Sequence, residues 1–213
     1  YRQSLYQKMY TLAKDYVDTL ATISWLEKSM DFGSPLPKSI LKDVLMQLIA
    51  SNKWAKLDST LLHFLKKEPF DKKQCFLCSL ISSDTIKNRV LSTETLFLLS
   101  KFAYSCMEYS LSSRLLHKAL KRKNFLKVVP HGRYVYHRAI LNYRLKNYEK
   151  SIKWALIFEK KYGSDPGLVY ILARSYRDLG NGSKASYWYD RHINLFPRHT
   201  KTLDIIWYRA WQK

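Results

Sequence analysis

Residues 166–199, PGLVYILARSYRDLGNGSKASYWYDRHINLFPRH, decide how this chain folds. Val169, Leu172, Ala173 and Tyr176 recur at the spacing of one helical face, and Leu179-Gly180-Asn181-Gly182 is a turn that stops that helix. Ala185, Trp188 and Tyr189 open a second apolar stripe, which Pro197 ends. The pattern predicts two antiparallel helices. Small Ala173 and Ala185 mark where they cross closely, while Tyr176 and Tyr189 fill the wider gaps toward neighbouring pairs.

Sliding the sequence by 34 residues shows that this unit is repeated. Residues 132–165 and 166–199 share Val135/Val169, Tyr136/Tyr170, Ala139/Ala173, Leu145/Leu179, Asn147/Asn181, Lys150/Lys184 and Trp154/Trp188, where chance composition gives roughly two matches. A period of 34 in helix-turn-helix form resembles the tetratricopeptide-repeat family, whose helix pairs stack into a solenoid. The first copy is degenerate. Lys146 stands at the turn glycine, Ser151 at the close-packing alanine, and the second helix runs to Tyr162 before Gly163-Ser164-Asp165-Pro166 breaks it.

Working outward, residues 95–107 and 111–121 form another pair, with Leu96, Leu99 and Ala103 facing Leu115, Leu116 and Ala119; residues 40–49 and 57–64 form a looser one. Leu5, Met9, Leu12, Tyr16, Leu20 and Ile23 predict one long helix or two short ones, ended at Asp31-Phe32-Gly33. Leu203, Ile206, Trp207 and Ala210 begin a last first-type helix that lacks its partner, so an apolar edge and a continuation past Lys213 are expected. The expected fold is an all-α solenoid of degenerate helix pairs. Its parts are N-terminal helices at 1–91, a helix pair with a basic linker at 92–131, and repeats at 132–213.

Composition agrees. Six Gly and six Pro among 213 residues are too few turns for a sandwich or barrel, and 46% apolar residues suffice for a packed core. No apolar run approaches the ~18 residues of a transmembrane helix. The net charge of +20 is unevenly spread: residues 1–50 carry six basic and five acidic side chains, whereas residues 109–148 carry ten basic and none acidic. That stretch predicts a positive field attractive to acidic partners.

Catalytic and cofactor signatures are absent, so no enzyme, cofactor or metal function is expected of this chain. Gly180-Asn181-Gly182 is too short for a dinucleotide fingerprint, and the six His are scattered. Cys75-x-x-Cys78 lacks the second pair a zinc site needs. Cys75, Cys78 and Cys106 are therefore expected to be core thiols, in keeping with a reducing compartment.

Projecting the 34-residue register places Arg133, Tyr136, Tyr143, Arg144, Tyr170, Arg174, Arg177 and Tyr208 on or near the face lined by the first helix of each pair. Arginine forks bind carboxylates bidentately and tyrosines supply contact area, so this groove suits a protein or an acidic peptide. Tyr136 and Tyr170 are equally expected to pack between repeats.

Glu94, Leu96-Phe97-Leu98-Leu99, Tyr104 and Arg114-Leu115-Leu116 resemble the N-terminal repeats of the cell-division-cycle type scaffold subunits of the anaphase-promoting complex, a ubiquitin ligase. The resemblance implies a noncatalytic cell-cycle scaffold in nucleus or cytoplasm that forms a homodimer. Met107 departs from it, standing where a turn glycine is usual. Leu172-Ala173-Arg174-Ser175-Tyr176, Leu179-Gly180-Asn181 and Trp207-Tyr208-Arg209-Ala210-Trp211 are similar to the helical region of bacterial soluble lytic transglycosylases, which implies a place in the bacterial envelope. Glu27 and Leu45-Met46-Gln47-Leu48 imitate that family's catalytic segments, but Val44 replaces a required glycine and no catalytic role is carried over. A free-standing adaptor for acidic peptides is a third reading. RNA binding is a fourth, less favoured because the copies differ at the groove positions a helical RNA code would need.

Overall fold

The computed structural model describes residues 21, 24, 38–67, 75–82 and 91–211. The expected helix at residues 1–30 and its stop at Asp31-Phe32-Gly33 lie outside them. The described residues are helical without strands and make an α-solenoid of successive helix pairs. The chain divides into two compact units between Val128 and Val129.

In the first unit, α1 (Lys38–Ala50) pairs with α2 (Trp54–Lys67), and α3 (Phe76–Ser82) follows. Next, α4 (Thr93–Ser105) pairs with α5 (Tyr109–Leu120) and carries the short α6 (Phe125–Val128) against it, while α2 packs on α4. Ser92 caps α4 by accepting the Thr95 N–H at 3.2 Å, and its own N–H donates to Asp58 of α2 at 2.9 Å. Buried Leu96, Leu99 and Ala103 meet Leu115, Leu116 and Ala119, as their spacing predicts.

The second unit holds α7 (His131–Arg144), α8 (Tyr148–Tyr162), α9 (Pro166–Asp178), α10 (Gly182–Leu195) and α11 (Thr200–Trp211). Helices α7 and α8 form one pair, α9 and α10 the next, and α8 packs on α9. Asp165 caps α9 through the Leu168 N–H at 3.0 Å with Pro166 in the first turn, and Asn181 caps α10 through the Lys184 N–H at 3.1 Å. Ala173, Ala185, Tyr189 and Ile205 make one buried cluster, and Ala139, Ile152, Ala155, Leu168 and Leu172 make another. Tyr176 and Trp188 pack against both, filling the gap between pairs. On α11, Thr202 and Ile205 are buried while Leu203, Ile206 and Trp207 are exposed, the apolar edge the sequence predicts.

Two features recur, the first in all four described helix pairs and the second in the last three. The second residue after the first helix of each pair has a left-handed backbone: Asn52 at φ 54°, Met107 at 64°, Lys146 at 60° and Gly180 at 78°. In each, the N–H of that residue bonds three positions back and the next N–H five positions back, as in Glu108 to Ala103 and Asn181 to Tyr176, both at 2.9 Å. The substituted turns at Met107 and Lys146 therefore keep the shape of the glycine turn.

The second recurrent feature is a crossing of small residues twelve positions apart: Ser100 with Ser112, Ala139 with Ser151, and Ala173 with Ala185, all buried. Ser100 and Ser112 each donate a hydroxyl to the other's carbonyl, at 2.9 and 2.8 Å, and Ser151 donates to the Ala139 carbonyl at 3.0 Å. Serine replaces alanine there without leaving an orphaned hydroxyl.

The cysteine expectation needs correction. Cys75 and Cys106 are joined in a disulfide that ties the start of α3 to the end of α4, with their Cα atoms 5.6 Å apart, so only Cys78 is a buried thiol. Two cysteines 31 residues apart are brought together by folding, which sequence spacing alone did not reveal.

Candidate partner-binding face

The first helices of successive pairs, α7, α9 and α11, put five of the eight predicted residues together. Tyr170, Arg174 and Arg177 lie one turn apart on α9, so helical periodicity alone aligns them. The Arg174 guanidinium stands over the ring of Tyr143 from α7, 5.4 Å from its centroid, and over Tyr170, 5.7 Å away. Arg177 stands over Tyr208 of α11 at 5.2 Å. Such contacts hold the long arginines in place for about 0.5–1 kcal/mol each where water reaches them.

The two arginines differ in how their charge is used. Arg177 donates from Nε and Nη2 to Oδ1 of Asp178 at 2.8 and 2.7 Å, and the Tyr143 hydroxyl donates to Asp178 Oδ2 at 3.4 Å. Burial disfavours the Arg177 charge, but the hydrogen bond to Asp178, joined by the Coulombic attraction of Tyr189, Asp178 and Tyr208, outweighs it, and its pKa is raised. Arg174 has no ion pair among the described residues, and its buried Nε donates to nothing. Its guanidinium is half-buried, held by two rings and without a carboxylate partner among the described residues.

Around it, burial raises the Tyr143 hydroxyl pKa against the opposing pull of Arg174, and burial pushes Tyr189 up to about 12. Lys201 of α11 lies over the Tyr170 ring at 5.8 Å and pairs with Asp204 at 2.8 Å. The face therefore sets basic side chains among tyrosine rings.

The other three predicted residues lie elsewhere. Tyr136 belongs to the core: its ring meets Phe158 edge-on at 5.7 Å, and its hydroxyl lies 3.0 Å from where a side chain on Gly167 would begin. Arg133 and Arg144 are exposed at the two ends of α7. Sequence reasoning missed Asp178, although it directly follows Arg177, and Lys201, although it lies two turns before Tyr208 on the same face.

Among the described residues no group of His, Cys, Asp and Glu is placed to hold a metal, and no helix is long and apolar enough to cross a membrane. No family model and no curated protein matches the chain. Solved structures do resemble it. YrrB, described as a tetratricopeptide-repeat protein with an unusual peptide-binding site, superposes with a TM-score of 0.50 over 93% of this chain and 89% of its own, at 9% identity. MamA from AMB-1 gives 0.45 at 12% identity over 96% and 97%, and BtubC from P. vanneervenii gives 0.41 at 14% identity over 89% and 77%. The YrrB likeness shows the fold: a tetratricopeptide-like solenoid.

Proposed function

We propose that this chain is a noncatalytic scaffold whose α7, α9 and α11 face receives an acidic segment of a partner protein. Arg174 carries the reading, because its guanidinium is positioned by Tyr143 and Tyr170 and lacks the carboxylate that Asp178 provides to Arg177. A partner Asp or Glu supplies that carboxylate, and the rings flank the peptide backbone. Fluorescence anisotropy with a labelled Glu-rich peptide tests it. A charged hydrogen bond of ~1.5–3 kcal/mol predicts roughly 10–100-fold weaker binding for Arg174→Ala. Unchanged binding by Arg174→Glu would remove the proposal.

Of the two families resembled, the Cys75–Cys106 disulfide favours an oxidising compartment, and with it the helical region of a bacterial lytic transglycosylase. The scaffold then belongs to the envelope and supports catalysis residing elsewhere. A self-pairing subunit of the anaphase-promoting complex, in nucleus or cytoplasm, is the competing assembly, and it requires both cysteines reduced. Differential alkylation in the producing cell separates them: Cys75 and Cys106 protected until reduction supports the envelope, whereas immediate alkylation together with a dimeric mass supports the other.

A further inference from the structure

The basic block of the sequence has a second, separate expression in the first unit. On α5 and its C-cap, Arg114, His117, Lys118 and the capping Lys121 follow the i, i+3, i+4, i+7 spacing of one helix face, and all four are exposed. The chain then turns through exposed Arg122, Lys123 and Lys127. Arg114, Lys121, Arg122, Lys123 and Lys127 make no ion pair among the described residues, and no carboxylate occurs in sequence between Glu108 and Glu149. Set among these cations, Leu126 is 65% exposed and Val128 37% exposed, although α6 has the buried Phe125 with which to anchor itself on α4. A shallow apolar dent of about 80 Å³ between α3 and α5 is lined by Ile81, Leu111 and Leu115, with Arg114 and Lys118 also on its wall.

Strong unpaired positive charge beside outward apolar side chains fits one kind of partner. We infer that the α5–α6 surface docks on an anionic lipid membrane, with the lysines and arginines at the headgroups and Leu126 and Val128 dipping into the acyl boundary. Nucleic acid fits less well. Single strands are held by rings stacked on bases, and Phe125, the ring of α6, is buried. Leu126 and Val128 have no role against a phosphate backbone but a direct one in lipid.

Co-sedimentation of the whole chain with vesicles tests this. Vesicles of phosphatidylcholine with phosphatidylglycerol should bind it at 0.1 M salt, and vesicles of phosphatidylcholine alone should not. At about 1 kcal/mol per cation, replacing Lys121, Arg122, Lys123 and Lys127 by Gln should weaken partition by on the order of a hundredfold or more. Leu126→Gln should weaken it several-fold while leaving its salt dependence intact. These side chains are exposed, so an unchanged thermal melt verifies that each variant folds. Equal binding to neutral vesicles, no binding to anionic ones, or undiminished binding by the quadruple variant would each overturn the inference. So would poly(U) binding that depends on the four cations in a chain that ignores vesicles. None of these outcomes depends on Arg174, so the two proposals stand or fall separately.

Discussion

Gly180→Ala and Gly182→Ala are the same substitution two residues apart, and the structure assigns them opposite signs. Neither added Cβ meets any atom within 4 Å, so steric clash contributes to neither. Gly180, however, is left-handed at φ 78°, whereas Gly182 is the first residue of α10 and is not among the positive-φ glycines. An L-residue in the left-handed region costs about 1–2 kcal/mol. Losing glycine's freedom in the unfolded chain returns ~0.4–1 kcal/mol, which leaves Gly180→Ala destabilised by roughly 1 kcal/mol. At Gly182 only the entropic gain applies, so that variant should be more stable than the parent by about 0.4–1 kcal/mol. The pair should differ by about 1.5–2 kcal/mol, which for a chain of this size is several degrees in Tm. Lys146→Gly supplies the reciprocal: it relieves the strain at φ 60° and should gain about 0.5 kcal/mol. Urea denaturation followed by circular dichroism, with m compared across variants, reads all three. If Gly180→Ala proves as stable as Gly182→Ala, the left-handed turn is wrong and the pairing of α9 with α10 must be redrawn.

Other perturbations follow from the same geometry. Removing the Cys75–Cys106 disulfide by Cys106→Ala should cost about 3–4 kcal/mol on loop-entropy grounds, seen as a fall in the urea midpoint that reductant imposes on the parent and not on the variant. The denatured, unreduced chain should show one thiol to Ellman's reagent, that of Cys78. In the folded chain it should react slowly, since burial pushes it up to about 11. His192 is buried and its pKa is lowered by burial and then by the neighbouring charge of His199. The unfolded chain therefore takes up the proton first, and stability should fall as pH drops below about 6.5; His192→Gln should flatten that part of a melting-temperature profile. Ser112→Ala removes the hydroxyl hydrogen bond to the Ser100 carbonyl, which keeps its helical N–H donor, and should cost about 0.5–1.5 kcal/mol by thermal melt, whereas Ser113→Ala should be near neutral.

The helix pairs were legible because burial imposes its period on sequence. Leu172 and Ala173 had to be apolar wherever α9 packs, and the second copy could be found by shifting the first. The turn at Asn52 was not, and at Met107 and Lys146 the register marked the turn position but not its left-handed backbone, since residue preference for that region is statistical while hydrogen bonding and packing decide the backbone. Tyr136 and Tyr170 illustrate the same limit at the site. They occupy equivalent repeat positions and pack alike, the first edge-on against Phe158 and the second edge-on against His192, yet only the second also lies beneath a guanidinium, because the residue four positions on is Ile140 in one copy and Arg174 in the other. Arg174 and Arg177 looked alike in sequence. Only the location of the Asp178 carboxylate distinguishes the committed cation from the uncommitted one.

Four unlike residues, Asn52, Met107, Lys146 and Gly180, perform one backbone manoeuvre in this chain. Each copy can thus drift at its hinge of identity while retaining its angle, at a cost of a kilocalorie or so that a stacked neighbour absorbs. Shape becomes the inherited quantity and spelling the expendable one. Repeats of this kind diverge beyond mutual recognition while their helices remain superposable.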